Sequence, residues 1–403
     1  MTHVVIVGAG IGGTACALAL LKHGFEVTLL EQAQAFGEVG AGVQMSPNAN
    51  RVIEALGRLD AVLAVATRPE AGIASSWDTD EHLRVVPFGQ HVLARWGYPY
   101  IHLYRPDLIA ALSAGLPAGI GRMGAKVIAI REEAGRAGAE LTDGEVVWGD
   151  VVVGADGIHS TVQKHLHGDH PARFTGYMAW RGLCPGDVAR QQQVPLVSGN
   201  AWGPGSHFVN YYVGAKNGEG LGRFMNWVGV VPHDGTAIES WTAEGSIEDA
   251  LRDFDGWSPR VRRIIAATPK AMKWALHDRD PLPFWSRGRV TLLGDACHPM
   301  LPFMAQGAAQ GIEDGWVLAR CLTETADGIE AALQRYERNR MERTAWVQEG
   351  SRKNEKLFHL SDPEAVAARN ARMAKEVETN PDGVSADQSR LFNHDVVNGP
   401  LEP

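Results

Sequence analysis

The feature that most restricts this chain lies in its first thirty-one residues. A short apolar run, Val4–Val7, stops at Gly8-Ala9-Gly10-Ile11-Gly12-Gly13. A helical pattern then fills Thr14–Lys22, and a second apolar run, Glu26–Leu30, ends in Glu31. Strand, glycine turn, helix and strand in that order make a βαβ unit, which requires a parallel sheet with helices packed on it. Gly8 allows the sharp turn, Gly10 lets a pyrophosphate approach the backbone, and Gly13 lets helix and strand pack closely. The helix N-terminus adds free N–H groups and the positive end of its dipole. Glu31 follows Gly13 by eighteen positions, where a carboxylate accepts ribose hydroxyls. The unit predicts a dinucleotide site without saying which dinucleotide.

No second βαβ repeat follows. A glycine-rich stretch, Phe36–Gly42, leads to a helix from about Pro47 to Leu56, and Ile73–Leu93 has the pattern of two strands with polar faces. Helix Pro106–Ala114, strand Lys126–Arg131, a turn at Asp143-Gly144 and a buried strand Val151–Val153 return to the α/β style. Between about Pro171 and Trp274 short aromatic and glycine-rich strands dominate, as in His207–Val213 and Arg223–Val230, which predicts a mostly antiparallel sheet. Beyond Leu276 come strand Val290–Leu293, a loop over Gly294–Gly307 and helix Ala308–Leu322. A long charged helix, Ile329–Gly350, and a polar tail from about Asn380 complete the chain. The expected fold is α/β: a Rossmann-like domain of 1–72, 99–170 and 276–345, interrupted by a mostly antiparallel β-sheet domain of 73–98 and 171–275. Residues 346–403 form a C-terminal helical segment and tail.

The 403 residues exceed what one hydrophobic core usually holds, which agrees with two units. A net charge of −9 argues against nucleic acid and anionic membrane surfaces as partners. An anionic substrate therefore needs local positive groups. Cys16, Cys184, Cys297 and Cys321 show no paired spacing, so neither a disulfide framework nor a metal site is expected. The N-terminus lacks a basic n-region and cleavage site, and no apolar run approaches the length of a membrane span. A cytoplasmic protein is expected.

Two later motifs identify the dinucleotide. Gly154-Ala155-Asp156-Gly157-Ile158-His159-Ser160 and Gly294-Asp295-Ala296-Cys297-His298-Pro299 each follow a buried β run. With the first motif, and in this order, they resemble the single-component flavoprotein aromatic hydroxylases. That family includes salicylate hydroxylases, 3-hydroxybenzoate 6-hydroxylases and 6-hydroxynicotinate 3-monooxygenases. The resemblance spans nearly the whole chain and implies that the Rossmann-like domain binds FAD.

The resemblance also implies residue roles. Asp295 would hydrogen-bond the ribityl chain, a task suited to a carboxylate that accepts two strong bonds. Arg105, in Tyr104-Arg105-Pro106-Asp107-Leu108, would reach the diphosphate and ribityl region, and the Val127 backbone would meet the adenine. Asp156 and Gly157 would serve FAD and the pyridine nucleotide. Gln163 stands where many members place an arginine. Pro302, Gly307 and Ala308 would bring a helix N-terminus to the pyrimidine side of the flavin ring, where negative charge gathers on reduction. Gln44, Met45, Pro302 and Phe303 would lie near ring and substrate. The hydroxynicotinate enzymes carry histidines at the Gln44 and Phe303 positions, a difference from this chain.

His207 and Tyr211, in His207-Phe208-Val209-Asn210-Tyr211, stand four apart, so an extended strand puts both on one face. The family shows the same pair facing its substrate. A histidine titrating near neutrality suits the removal of a phenol proton, and Tyr211 would hold a substrate oxygen or carboxylate. His298 is expected to shape its loop and Cys297 to be a small core residue. Trp180, Trp202 and Trp227 are candidates to line an aromatic pocket. The implied reaction is hydroxylation of a small phenolic or N-heterocyclic, carboxylate-bearing aromatic by FAD, NADH or NADPH (NADH favoured) and O2, through a flavin C4a-hydroperoxide. Bicyclic or non-carboxylate substrates, a flavin dehydrogenase and a non-catalytic FAD-binding protein are the alternatives. The charged C-terminal helices offer a surface for a homodimer.

Overall fold

The computed structural model describes residues 1–35, 41–169, 171–216, 222–233, 244–380 and 383–403. The opening unit forms as the pattern requires. Strands His3–Val7 and Glu26–Glu31 pair in parallel, and helix Ile11–Lys22 connects them. The helix begins three residues earlier than the apolar periodicity suggests, because the glycines of the turn already take helical geometry. Around this unit lies a six-stranded sheet ordered Ser286–Arg287, Val290–Leu292, Val151–Gly154, His3–Val7, Glu26–Glu31, Gly121–Met123. All its pairings are parallel except the first. Its central strands are buried on both faces, which explains their continuous valine and leucine runs. A three-stranded antiparallel sheet of Val127–Glu133, Arg136–Leu141 and Val146–Gly149 flanks it.

Helices Ile11–Lys22 and Gly307–Glu324 approach closely through small residues. A Cβ on Gly12 would meet Leu293 at 2.8 Å and the Gly311 Cα at 3.6 Å, and one on Gly315 would meet the Cys16 backbone at 2.7 Å. Cys16 is thus a packing residue, and burial pushes its thiol pKa far up.

The second layer is an eight-stranded sheet, antiparallel except where Val197–Gly203 runs parallel to Ala71–Ser76. Its order is Glu244–Gly245, Ala271–Asp278, Arg173–Pro185, Phe224–Pro232, Ser206–Val213, Val197–Gly203, Ala71–Ser76, His82–Pro87. One face packs on Phe254, Trp257 and Ile264 from the helices that follow the sheet's central strands. The other turns toward the flavin-type domain. Strict alternation along each strand decides which side chain goes where.

Three sequence expectations change. Ile73–Leu93 was expected as two strands, yet only Ala71–Ser76 and His82–Pro87 are extended. Gly89–Trp96 is a helix that buries Val92 and Trp96 four apart, a period-3.6 spacing inside a short segment. The loop Gly294–Gly307 contains two 3₁₀ turns, Gly294–Ala296 and Pro302–Met304. The long helix runs on to Phe358, and the polar tail is folded: helices Pro363–Thr379 and Ala386–Asn393 follow, the latter started by a Ser385/Gln388 capping box. Few apolar residues suffice, because Leu391 and Phe392 are both buried against Trp96. Of the glycine-rich stretch, residues 36–40 lie outside the described residues.

Candidate active site

On the cofactor side the glycines divide into those that cannot carry a side chain and one that faces open space. Gly8 has φ +102°, and a Cβ there would lie 2.4 Å from the Ala155 carbonyl oxygen. A Cβ on Gly13 would lie 1.9 Å from the Gly8 carbonyl oxygen. A Cβ on Gly10 would meet nothing within 4 Å, so the turn is open at the position where a pyrophosphate approaches. Glu31 accepts the Ala9 N–H at 2.7 Å and the Ala33 N–H at 2.9 Å, tying the turn to the second strand. Each of its oxygens retains acceptor capacity for a ribose hydroxyl. Asp156 accepts the Thr161 N–H at 2.7 Å and the Ser160 hydroxyl, so it organises the start of helix Thr161–His167. Burial raises its carboxyl pKa, and these hydrogen bonds hold it back. Gly157 turns the chain at φ +77°. Val127 is buried at the start of its strand.

Asp295 sits on the turn Gly294–Ala296, open to solvent yet closely ringed by protein. That surrounding lifts its pKa above the ordinary carboxylate range, with His298 and Arg105 pulling the other way. Among the described residues, neither the Asp295 carboxylate nor the Arg105 guanidinium has a hydrogen-bond partner. Helix Gly307–Glu324 starts with no side-chain cap, and Gly307 and Ala308 are part-exposed at its N-terminus. A free acceptor, a free cation and an uncapped helix start fit the ribityl, diphosphate and ring-pyrimidine groups of FAD. Just before this helix, Ala305 holds φ +52°, a left-handed conformation rare for residues with a side chain. Pro302 is exposed beside buried Phe303.

Behind Asp295 lies a fully buried ion network. Arg340 donates to Asp314 at 2.7 Å, to Glu313 at 2.7 Å and to the Gln310 side chain at 2.8 Å. Arg343 also holds Glu313, and Asp314 contacts His298 Nε2 at 2.6 Å and accepts the Gly294 N–H at 3.0 Å. His298 therefore fixes the loop that presents Asp295, as expected, and Cys297 is a fully buried residue whose thiol pKa burial pushes well up. Cys297, His298 and Asp314 come within metal-ligand distance of one another, but Arg340 already supplies the positive charge there.

On the sheet side, Tyr211 and His207 share a face. Tyr211 stands opposite Asn226 and His207 opposite Val230. Both are buried and both meet segments of the flavin-type domain. Gly42 fits between Tyr211 and Asn226: a Cβ there would lie 2.6 Å from each, and its N–H donates to Asn226 Oδ1 at 2.8 Å. Two residues on, Gln44 accepts the Tyr100 hydroxyl at 2.6 Å, and its amide lies close to the Tyr211 hydroxyl, where it works against burial and favours the ionised form. Burial pushes the Tyr211 pKa up to about 12, so its hydroxyl remains protonated at neutral pH. The His207 ring lies 5.2 Å from the Phe303 ring, edge to face.

Four residues that sequence reasoning missed complete the site. Arg181 is on the same face, on strand Arg173–Pro185 beyond Phe224–Pro232; it donates to the Gly42 carbonyl at 3.3 Å, and among the described residues its Nε has no partner. Burial lowers its pKa to about 10, so it stays a cation at neutral pH. His102 packs against Tyr211 with ring centres 4.5 Å apart, and among the described residues neither ring nitrogen has a partner. Burial brings its pKa down to about 3 and keeps it neutral. Phe358 and His359, at the end of the long helix, pack on Trp202 and His207 respectively. An arginine inside a strand was a legible signal for Arg181. No local signal marked the others.

Two expectations are corrected here. His207 does not titrate near neutrality: burial, then the neighbouring His359, holds its pKa well below the usual histidine value. Of the three tryptophans, only Trp202 faces the cleft. Trp180 and Trp227 point to the opposite face, where they donate to Asp253 and Thr268, because strand alternation separates them.

Fold and cleft together define a flavoprotein in which a Rossmann-like domain meets a β-sheet that carries a buried histidine and tyrosine on one face. The sequence profile described as "FAD binding domain" matches residues 1–351, and the chain belongs to this family of FAD-dependent aromatic hydroxylases. It is 36% identical over 363 residues to a 6-hydroxynicotinate 3-monooxygenase of Pseudomonas fluorescens, covering 90% of this chain and 93% of that protein. It is 38% identical over 371 residues to a 3-amino-4-hydroxybenzoate 2-monooxygenase of Streptomyces platensis, covering 90% and 91%. Among solved structures, Klebsiella pneumoniae HpxO complexed with FAD and uric acid superposes with a TM-score of 0.84 at 26% identity, covering 97% of each chain. No helix among the described residues is long and apolar enough to cross a membrane.

Proposed function

We propose that the chain hydroxylates a small aromatic or N-heterocyclic substrate bearing a hydroxyl and a carboxylate, using NADH or NADPH and O2, with NADH favoured. One observation carries this proposal. The His207/Tyr211 face of the sheet meets Gly42, Gln44 and Phe303, the segments that the family resemblance sets beside ring and substrate. The chemistry supplied by bound FAD is reduction by the nicotinamide and activation of O2 for transfer to a ring carbon.

The protein's own residues have three tasks. Gly8, Gly10, Gly13 and Glu31 hold the dinucleotide end, Arg105 and Asp295 the diphosphate and ribityl groups, and the N-terminus of helix Gly307–Glu324 the pyrimidine edge. Val127, Asp156, Gly157, Pro302 and Ala308 shape the same surface. Around the substrate, Arg181 provides the cation that a carboxylate needs in a protein of net charge −9. Tyr211 donates its hydroxyl to a substrate oxygen, and Gln44 fixes its direction. His207, neutral because it is buried, accepts the proton of the substrate hydroxyl, which makes the ring electron-rich where oxygen enters. Trp202, Phe303 and Phe358 exclude water from this step.

The test is NADH and NADPH oxidation by the FAD-loaded protein with 6-hydroxynicotinate, 3-amino-4-hydroxybenzoate, 3-hydroxybenzoate and salicylate, with product masses recorded. Stimulated oxidation with a gain of one oxygen is expected. Stimulation without oxygenated product would sink the hydroxylase assignment in favour of a dehydrogenase. His207→Ala should lower hydroxylation by about 10²–10⁴-fold while FAD stays bound.

A further inference from the structure

We propose that His359 is the positioning partner of His207: it accepts the Nδ1–H of His207, sets that ring's tautomer and shares the proton that His207 takes up. The inference rests on the base role given above to His207. His207 Nδ1 lies 2.7 Å from His359 Nε2, and both rings are buried. Two imidazoles at that distance must hold one proton between them, with one nitrogen donating and the other accepting. Only one arrangement leaves His207 Nε2 with a lone pair for the substrate, namely His207 Nδ1–H donating into His359 Nε2. This is the orienting logic of a base whose far nitrogen is held by an acceptor, with imidazole in place of carboxylate.

The position of His359 is built. It caps the C-terminal end of helix Ile329–Phe358, its N–H donating to the Glu355 carbonyl at 3.2 Å. Its ring lies on Tyr177 with centres 4.4 Å apart, and Phe303 stands edge-on at 5.7 Å. Arg369 holds the preceding turn through the Leu357 carbonyl at 3.1 Å. His359 falls eight residues beyond residue 351, where the family match ends.

The proton balance is simple. The substrate hydroxyl gives its proton to His207 Nε2, and the oxygen keeps the electron pair. The pair then carries one added proton and one positive charge, shared across the Nδ1–Nε2 hydrogen bond. The charge on either ring opposes a second protonation, so the two titrate as one unit. Other titratable or charged groups around the pair are Tyr177 on the sheet, Tyr211 on the strand of His207, Glu355 and Lys356 on the helix, and Arg369 beyond it.

The test uses FAD-loaded protein labelled with ¹⁵N-histidine, with the His207 signals identified by their loss in His207→Gln. Long-range ¹H–¹⁵N spectra should show His207 as the Nδ1–H tautomer in the wild type. That tautomer should be lost in His359→Phe, which fills the space without a polar atom, and retained in His359→Gln, whose amide reaches the Nε2 position. An unchanged His207 tautomer in His359→Phe overturns the proposal. With 6-hydroxynicotinate or 3-amino-4-hydroxybenzoate as probe, His359→Phe should lose about 10- to 100-fold in kcat. Its KM should hold, and His359→Gln should recover most of the loss. Equal losses in Phe and Gln variants would make His359 a wall of the cleft and also overturn the proposal. If the wild type oxygenates none of the probes, the function assignment fails by itself, while the tautomer experiment still decides the role of His359.

Discussion

Arg340→Met removes the centre of the buried network behind the flavin loop, and its cost follows from the contacts. Arg340 is fully buried and forms charge-assisted hydrogen bonds to Asp314 and Glu313, both also fully buried. The two carboxylates are left in unequal positions. Glu313 keeps two bonds from Arg343, at 2.8 and 2.9 Å, and one from Asn48 at 2.6 Å. Asp314 loses Arg340 and keeps His298 and the Gly294 N–H. Methionine fills the volume without replacing the charge, so an under-compensated carboxylate remains at Asp314. Breaking a buried pair in this way costs about 3–5 kcal/mol. Chemical denaturation of the FAD-loaded variant should show that loss, together with weaker FAD retention, because Asp314 anchors the Gly294 end of the loop that carries Asp295. In the double variant Arg340→Met/Asp314→Asn the stranded charge is gone, so part of the stability should return. A single-variant loss below about 1 kcal/mol, or double-variant losses that simply add, would refute the coupling.

Three further outcomes are expected. Glu313 and Asp314 have folded pKa values below the usual carboxylate range, because Arg343 and Arg340 for the first, and His298 and Arg340 for the second, outweigh burial. Their stabilisation is therefore full above the unfolded carboxylate pKa and is lost as pH falls below it toward the folded values. His102, at about 3, is also depressed, so its unfolded form takes up protons first: stability falls from about pH 6.5 toward pH 3, and His102→Phe should flatten that slope in denaturation midpoints measured against pH. Gly42→Ala should cost about 1–3 kcal/mol, because its Cβ displaces Tyr211 and Asn226. In NADH oxidation it should lose substrate stimulation before FAD; a variant that keeps both would show that the clamp on Tyr211 is slack. Phe392→Ala should destabilise the fold by about 3–5 kcal/mol through the cavity left against Trp96, and an unchanged thermal midpoint would mean that the tail does not belong to the core.

What the sequence determined by itself is what short-range geometry dictates. The glycine turn, its strands and its helix lie within one βαβ unit, where Gly8 is required by the positive φ of the turn and Gly13 by the Gly8 carbonyl five residues before it. The face shared by His207 and Tyr211 follows from the period of a strand. The order of motifs was legible for the same reason, and with it the FAD family. Tertiary packing decided the rest. His207 meets His359 across 152 positions, Gly42 meets Asn226 across 184, and Arg181 reaches back 139 residues to Gly42. No period or spacing encodes such pairs; they exist because the sheet and the end of a long helix close on one cleft. The pKa of His207 belongs to that class too. A histidine in a sequence titrates near neutrality, and it is burial beside a second imidazole, a property of the assembled cleft, that keeps this one neutral.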